Sequence, residues 1–225
     1  MKKTIIRSAQ FLGCVNGSEP GEETTIDIPV TSVQVYLWSK GSETPSPYTG
    51  DGEVIYYSYD GRKNKGLVYG GAGTITNGKL TLKLPAAVED QYLEPIGETF
   101  DASLDKGSIT VSPGDAKVFS VYGFDIIKNE ESAYRLYYEK YDDVSEDYIA
   151  YIYSSTEVTV TGSVTEIEDK GTQYAWTRTY NLKLKKGWNA VYLHEYWDED
   201  DNTSGDAITT DGSGIPSGLK WVLKG

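Results

Sequence analysis

Hydrophobic and polar residues alternate along most of the chain, as they do in half-buried β-strands. Residues 32–38 read Ser-Val-Gln-Val-Tyr-Leu-Trp, and residues 54–59 form a second run, Val-Ile-Tyr-Tyr-Ser-Tyr. Further runs follow to residue 223 and are separated by turns rich in Gly, Pro, Asp and Asn. A helical periodicity is not sustained anywhere. The pattern predicts an all-β fold: an antiparallel β-sandwich of many short strands with Greek-key or meander connections.

The sharpest local prediction is a β-hairpin at Asn77-Gly78. Both residue types tolerate the positive φ angles that a two-residue type I′ turn requires. Leu80, Leu82 and Leu84 then alternate with polar residues, so we expect the three leucines to face the core. Two tryptophans, Trp188 and Trp221, are also predicted to be largely buried.

The N-terminal residues have some features of an export signal. Residues 11–14 read Phe-Leu-Gly-Cys, which is similar to a bacterial lipobox and makes Cys14 a candidate for lipidation; the alternative is an ordinary free thiol. The apolar run of about 7–15 residues that a signal peptide needs is interrupted at Arg7-Ser8. We expect residues 1–23 to be a degenerate signal and flexible tether and residues 24–225 to be a single β-sandwich domain. A division near residues 98–106 is the alternative.

Charge and composition argue against several classes of binding partner and site. The chain of 225 residues has 21 basic and 34 acidic residues, a formal net charge of −13. Nucleic acids and anionic membrane surfaces need a basic footprint, so neither is expected as a partner. One cysteine and one histidine exclude an internal disulfide and a Cys/His zinc site. A run of about 20 apolar residues is absent, so we expect a lipid anchor at most and no transmembrane span.

The second half of the chain carries a resemblance to a known group. Residues 183–192 read Lys-Leu-Lys-Lys-Gly-Trp-Asn-Ala-Val-Tyr, and Leu219-Lys220-Trp221 lies near the C-terminus. This combination resembles exported lipoproteins of spirochaetes and Bacteroides-type bacteria, in which such a hairpin precedes a last Leu-Lys-Trp strand. The resemblance implies export to the cell envelope or surface and a β-sandwich, and it brings no established activity.

One acidic segment follows the twelve-residue calcium-loop template. Oxygen ligands fall at loop positions 1, 3, 5 and 12, glycine falls at position 6, and the carbonyl at position 7 would be a further donor. These residues are Asp200, Asn202, Ser204, Asp211, Gly205 and Asp206. The alternative interpretation is a solvated acidic turn, because Asp, Asn, Ser and Gly are also the usual turn residues. Calcium is therefore the one candidate cofactor.

Catalytic motifs are scarce, and we do not expect an enzyme. His194 lies in an alternating run and is predicted to be an ordinary polar strand residue. The chain is rich in tyrosine, and exposed rings could stack on a glycan or a peptide, although the same rings could equally be packed across neighbouring strands. The candidate ligand-binding residues are Tyr48, Tyr56, Tyr57, Tyr59, Tyr137, Tyr138 and Tyr141.

Three functional classes remain open from the sequence. The first is a cell-envelope module that binds a glycan or a peptide or acts as a scaffold. The second is a structural surface or adhesin domain, stabilised by calcium. The third is a carbohydrate-active hydrolase, for which a suitably placed pair of carboxyl groups would be needed.

Overall fold

The computed structural model describes residues 30–39, 44–60, 65–100, 109–128, 131–141, 145–169, 173–198, 203–210 and 217–225. Within these residues the chain forms sixteen β-strands, a 3₁₀ turn at Asp90–Tyr92 and one short helix, α1, at Ile96–Thr99. No helix in this part of the chain has the length and apolar character needed to cross a membrane.

The strands of the first half are β1 (Val30–Trp38), β2 (Ser46–Pro47), β3 (Gly52–Asp60), β4 (Lys65–Thr76), β5 (Lys79–Leu82), β6 (Glu94–Pro95), β7 (Thr110–Ser112) and β8 (Lys117–Val121). Those of the second half are β9 (Phe124–Lys128), β10 (Glu131–Tyr141), β11 (Ser145–Ser154), β12 (Val158–Asp169), β13 (Gln173–Leu184), β14 (Gly187–Asp198), β15 (Thr203–Thr209) and β16 (Lys220–Lys224).

Seven strands close into a barrel. Their hydrogen-bonded order is β16-β1-β5-β4-β3-β9-β10, and β10 pairs back with β16. Val222 of β16 is the meeting point, because it is paired in parallel with Tyr36 of β1 and antiparallel with Tyr137 of β10. The predicted all-β class is confirmed, whereas the predicted sandwich is corrected to a closed barrel with an attached sheet. Inward and outward residues alternate in both architectures, so the sequence pattern did not distinguish them.

The predicted hairpin at Asn77-Gly78 is confirmed and forms part of the barrel. Asn77 has φ 49° and Gly78 has φ 71°, and Thr76 is paired with Lys79 across the turn. A side chain at Gly78 would also run into the backbone carbonyl of Tyr48, so glycine is needed here for packing as well as for the turn. Leu80, Leu82 and Leu84 are all buried in the barrel core, as expected.

Both predicted tryptophans are buried at the edges of this core. Trp221 lies inside the barrel and stacks on Tyr138 with ring centroids 5.0 Å apart. Trp188 packs edge-on against Phe119, and its indole nitrogen donates a hydrogen bond of 2.8 Å to the carbonyl of Pro85. This donor satisfies the polar end of an otherwise buried ring.

A second sheet is joined to the barrel through β11. One edge of β11 pairs with β10 over Glu139–Tyr141 and with β8 near its C-terminal end, and its other edge pairs with β14. The sheet then continues in the order β14-β15-β13-β12-β7, with β13 and β15 parallel. One face of this sheet holds a second core that includes Ile152, Leu182 and Val191 together with Ile96 of α1.

The predicted boundary at residue 23 and the predicted lipidation of Cys14 lie outside the described residues. From Val30 onward, all sixteen strands belong to one continuous hydrogen-bonded network, in which the two cores share β11.

The barrel core predicts a clear difference between the two faces of β5. Leu80→Ala should lower the free energy of unfolding by about 2–5 kcal/mol, because it leaves a cavity in a fully buried position. Thr81→Ala, on the exposed face of the same strand, should change it by only about 0.5 kcal/mol. Urea unfolding followed by tryptophan fluorescence measures both, and equal losses would contradict the assigned register.

Candidate functional site

A cleft with a volume of about 370 Å³ lies between the outer wall of the barrel and the segment that covers the second core. We call it the tyrosine cleft. Its walls combine three tyrosines, three carboxylates and one guanidinium group. These residues are Tyr92, Tyr122, Tyr137, Glu94, Glu98, Asp125 and Arg135.

Strands β9 and β10 of the barrel form one wall of the tyrosine cleft. Their side chains point alternately into the barrel and out of it. Phe124, Ile126 and Leu136 are buried inside the barrel, so Asp125 and Arg135 project from its outer surface. These two residues are directly paired across β9 and β10, and the Arg135 Nε lies 3.4 Å from the Asp125 Oδ1. A hydrogen bond to Tyr137 raises the pKa of the Arg135 guanidinium, which therefore keeps its charge and links the two neighbouring side chains.

Tyr137 approaches the backbone of the neighbouring strand very closely. A Cβ atom added at Gly123 would lie 2.9 Å from the Tyr137 Cε1 and 3.2 Å from the carbonyl oxygen of Leu136. Glycine at position 123 therefore makes room for the Tyr137 ring in the cleft.

The opposite wall comes from the short elements between β5 and β9. Tyr92 ends the 3₁₀ turn, Glu94 lies on β6 opposite Val118 of β8, and Glu98 lies on α1. Tyr122 directly follows β8 and is 43% exposed, while burial of its hydroxyl raises its pKa. Both cores hold this wall, because Tyr92 packs against the barrel core and Ile96 of α1 belongs to the second core.

A row of charged residues crosses four strands next to Tyr122. Glu146 of β11 is paired with Glu195 of β14, Glu195 with Asp206 of β15, and Asp206 with Arg178 of β13. We call these four residues the charged row. Asp206 is buried, and its Oδ2 lies 2.6 Å from a terminal guanidinium nitrogen of Arg178. The charges of Arg178 and Asp206 both act on the Tyr122 hydroxyl, so the row borders the tyrosine cleft.

Glu195 lies between the two other carboxylates of the charged row. Burial raises the pKa of Glu195, and the negative charges of Asp206 and Glu146 raise it further. The hydroxyl of Tyr148 donates a hydrogen bond of 2.7 Å to the Glu195 Oε1, and this contact lowers the pKa in part. The row thus holds a carboxyl group with a raised pKa beside a carboxylate that is bound to arginine.

The one histidine of the chain forms a dyad on the other face of the same strands. Asp147 of β11 is paired with His194 of β14, and its Oδ1 lies 2.7 Å from the His194 Nδ1. The same oxygen accepts a hydrogen bond of 2.6 Å from the Tyr192 hydroxyl. A proton on the His194 Nδ1 allows this nitrogen to donate a hydrogen bond to the carboxylate. His194 is 36% exposed and stacks on Tyr196.

The interpretation of His194 as a strand residue was correct, but its partner Asp147 was missed. The only sequence signal for the pair is an acidic residue at an alternating position of β11. The pair becomes visible only when the register between β11 and β14 is known.

The tyrosines that the sequence suggested as ligand-binding residues lie in different parts of the structure. Tyr137 lines the cleft, whereas Tyr138 stacks inside the barrel and Tyr48 packs against Tyr134. Tyr56 is only 2% exposed and belongs to the barrel core, so its prediction as a ligand-stacking residue is corrected. The side chains of Tyr57, Tyr59 and Tyr141 lie outside the described residues. Tyr92 and Tyr122 of the cleft were not recognised from the sequence.

The centre of the calcium template is a strand and not a loop. Ser204 and Asp206 lie on β15, and the carboxylate of Asp206 binds Arg178. A Cβ atom at Gly205 would meet the Tyr196 hydroxyl at 2.6 Å, so this glycine is explained by packing. The expected loop conformation is therefore corrected over Thr203–Thr209. Asp200, Asn202 and Asp211 lie outside the described residues, and among those described no cluster of three or more His, Cys, Asp or Glu side chains could hold a metal ion.

Comparison of the chain with known proteins found no matching family model, no matching curated protein and no matching solved structure. The function is therefore inferred from the geometry of the tyrosine cleft and its surroundings.

The raised pKa of Glu195 predicts a pH-dependent effect of its replacement by glutamine. The folded state favours the neutral carboxyl, so this stabilisation is present below the unfolded pKa of about 4.5 and is lost as the pH rises through the folded pKa. Glu195→Gln mimics the neutral form at every pH. We expect it to melt at a higher temperature than the wild type at pH 7, with the difference shrinking towards pH 4.

Glu195→Ala is the matched control for this prediction, because it removes the acceptor of the Tyr148 hydrogen bond as well as the charge. It should melt below Glu195→Gln at both pH values. A lower melting temperature for Glu195→Gln than for the wild type at pH 7 would show that the ionised carboxylate is stabilising.

The dyad predicts a stability cost for the loss of the Asp147 charge. Asp147→Asn should lower the free energy of unfolding by about 1.5–3 kcal/mol, because a buried carboxylate that serves Tyr192 and His194 becomes a neutral amide. Asp115→Asn, on an exposed turn, should have an effect of about 0.5 kcal/mol or less. Chemical denaturation measures both variants, and equal effects would argue against the dyad.

Proposed function

We propose that the protein is a non-enzymatic binding module of the bacterial cell envelope that recognises a glycan in the tyrosine cleft. The observation that carries this proposal is the combination of three tyrosines with three carboxylates around one cavity. The C–H faces of sugar rings pack on aromatic side chains, and their hydroxyl groups donate hydrogen bonds to carboxylates.

The dimensions of the cleft suit a short segment of a glycan chain. Its volume of about 370 Å³ falls at the lower end of the range of small-molecule sites, which is roughly 300–1,000 Å³. The polar groups are already oriented, because Arg135 contacts Asp125 and Tyr137. A preorganised site loses less side-chain entropy on binding.

The proposed location rests on the sequence. The lipobox-like residues 11–14 and the resemblance of the second half of the chain to exported lipoproteins support attachment to the envelope through Cys14. The net charge of −13 fits a domain that stands off an anionic lipid surface.

A second candidate function, a carbohydrate-active hydrolase, is favoured by one observation. Glycosidases use two carboxyl groups whose environments separate their pKa values. Glu195, with a raised pKa, is paired across the sheet with the arginine-bound Asp206. We place this alternative second because these two residues lie beside the tyrosine cleft and are not among its lining residues.

Glycan binding is tested by calorimetric titration with a panel of tetrameric oligosaccharides. Tyr137→Ala should weaken binding at least tenfold, or about 1.4 kcal/mol, through loss of an aromatic wall. Gly123→Ala should weaken it as well, because the new Cβ displaces the Tyr137 ring. Release of shorter sugars during the titration would favour the hydrolase.

Tyr196→Ala is the matched control, since Tyr196 is 37% exposed and is not among the residues that line the cleft. This variant should bind as the wild type does. Equal weakening by Tyr137→Ala and Tyr196→Ala would reject the cleft as the binding site.

A further inference from the structure

Two lysines lie side by side with a glutamine on the outer face of the barrel. Leu80 of β5, Val35 of β1 and Trp221 of β16 are buried inside it, so the residue before each of them points outwards. These outward residues are Lys79, Gln34 and Lys220. Lys79 is paired with Gln34, and Val35 with Trp221, so the three are neighbours across the sheet. We call them the lysine face.

The ammonium group of Lys79 is held by a side chain that is itself fixed. The Lys79 Nζ donates a hydrogen bond of 2.9 Å to the Gln34 Oε1. The Gln34 Nε2 donates in turn to the carbonyl oxygens of Val35 and Tyr48, at 2.8 and 2.9 Å. An ammonium group has three donors, and the contact with Gln34 uses one of them. Because Lys79 is exposed, its other donors can bind an anion.

The ammonium group of Lys220 is positioned by an aromatic ring. The Lys220 Nζ lies 5.0 Å from the centroid of the ring of Tyr36, which is the next outward residue of β1 after Gln34. A cation–π contact of this kind orients the ammonium group without a carboxylate. Lys220 is also exposed, so its charge is accessible from solvent.

Neither lysine of the lysine face forms an ion pair with a carboxylate in the described part of the chain, whereas the next lysine of β16 does. The Lys224 Nζ lies 2.8 Å from the Glu139 Oε1 and 3.1 Å from the Glu146 Oε1. Glu139 is paired with Lys220 in the sheet, but its carboxylate is buried and bound by Lys224. The charges of Lys79 and Lys220 are therefore open to a ligand.

The local charge of the lysine face is opposite to the net charge of the chain, which is −13. At physiological ionic strength the Debye length is about 8 Å, so carboxylates elsewhere on the molecule are largely screened from a ligand bound at this face. A ligand in contact with both ammonium groups interacts with them directly. The lysine face therefore favours an anionic ligand.

We propose that the lysine face binds an acidic glycan, whose ring carboxylates accept hydrogen bonds from Lys79 and Lys220. Strand β1 lies between β5 and β16, so the backbones that carry the two lysines are roughly 10 Å apart. An oligomer with a carboxylate on each ring can reach both. The site is separate from the tyrosine cleft, whose lining includes neither lysine, and it does not depend on binding there.

The form of this surface favours a glycan over other polyanions. Strand β1 is hydrogen-bonded to β5 on one side and β16 on the other, so an acidic peptide cannot add to it as a further strand. The Lys220 ammonium group covers the Tyr36 ring, which is therefore not a platform for a nucleic-acid base. Two lysines are also fewer than the cluster of about four to eight that recognises anionic lipids.

The test is calorimetric titration of the full chain at low ionic strength with three probes: a galacturonate tetramer, its neutral methyl ester and tetraglutamate. The galacturonate tetramer should bind about fivefold or more tightly than either of the others, since each exposed ion pair contributes up to about fivefold. Its binding should be largely lost at 1 M salt, where the Debye length falls to about 3 Å.

Matched variants show whether the acidic glycan binds at the lysine face. The double variant Lys79→Gln/Lys220→Gln should weaken binding of the galacturonate tetramer about fivefold or more, and Lys79→Arg/Lys220→Arg, which keeps both charges, should retain most of it. Lys186→Gln is the control, because Lys186 is exposed on the turn between β13 and β14, and it should have little effect. Circular dichroism spectra check that all variants are folded.

Each other outcome overturns the inference in a different way. Equal weakening by the double glutamine variant and by Lys186→Gln would show that only the overall charge matters. Tetraglutamate binding as tightly as the galacturonate tetramer would reject the choice of a glycan. Weakening by Tyr137→Ala but not by the double glutamine variant would place the acidic ligand in the tyrosine cleft. Failure of the galacturonate tetramer to bind would reject the lysine face as a site and leave the proposal for the tyrosine cleft in place.

Discussion

Strand β11 is buried on both faces, and the rest of the structure depends on this double burial. Tyr151 and Tyr153 belong to the barrel core, while Ala150 and Ile152 belong to the second core. A strand with two apolar faces cannot lie at the surface, so the barrel and the second sheet must remain in contact along it. The hydrophobic burial of this strand therefore holds the barrel and the second sheet together.

The functional features of the molecule lie around this shared strand. The tyrosine cleft is lined in part by β8, which pairs with β11, and the charged row begins on β11 at Glu146. The Asp147–His194 dyad lies one residue further along β11, on the other face. Polar groups thus cluster at one end of β11, where its apolar alternation gives way to acidic residues.

Local features of the fold were predictable from the sequence, and long-range ones were not. The hairpin at Asn77-Gly78 and the inward leucines follow from turn chemistry and alternation over a few residues. Closure of the barrel depends on β16 meeting both β1 and β10, and neither pairing leaves a local signal. The same limit applies to the site: Tyr137 was proposed from composition, but its cleft partners Tyr92 and Tyr122 come from short irregular elements without alternation.

The central residues of the calcium template form a strand, where the sequence suggested a loop. Asp206 looks like a solvated turn residue in sequence, yet it is buried on β15 because Arg178 on the neighbouring strand neutralises it. An ion-pair partner on another strand allows an acidic residue to be buried in a sheet. A loop template considers only local spacing and does not include that partner.

The position of β16 also determines when the barrel can close during synthesis. A ribosome releases β1 before β16, so the edges of β1 and β10 that β16 covers stay open until β16 has been made. Open strand edges with unpaired amide and carbonyl groups are templates for association with other chains. The nascent chain is therefore most vulnerable to misassembly while these edges are open, and helpers that shield strand edges would matter most at that stage.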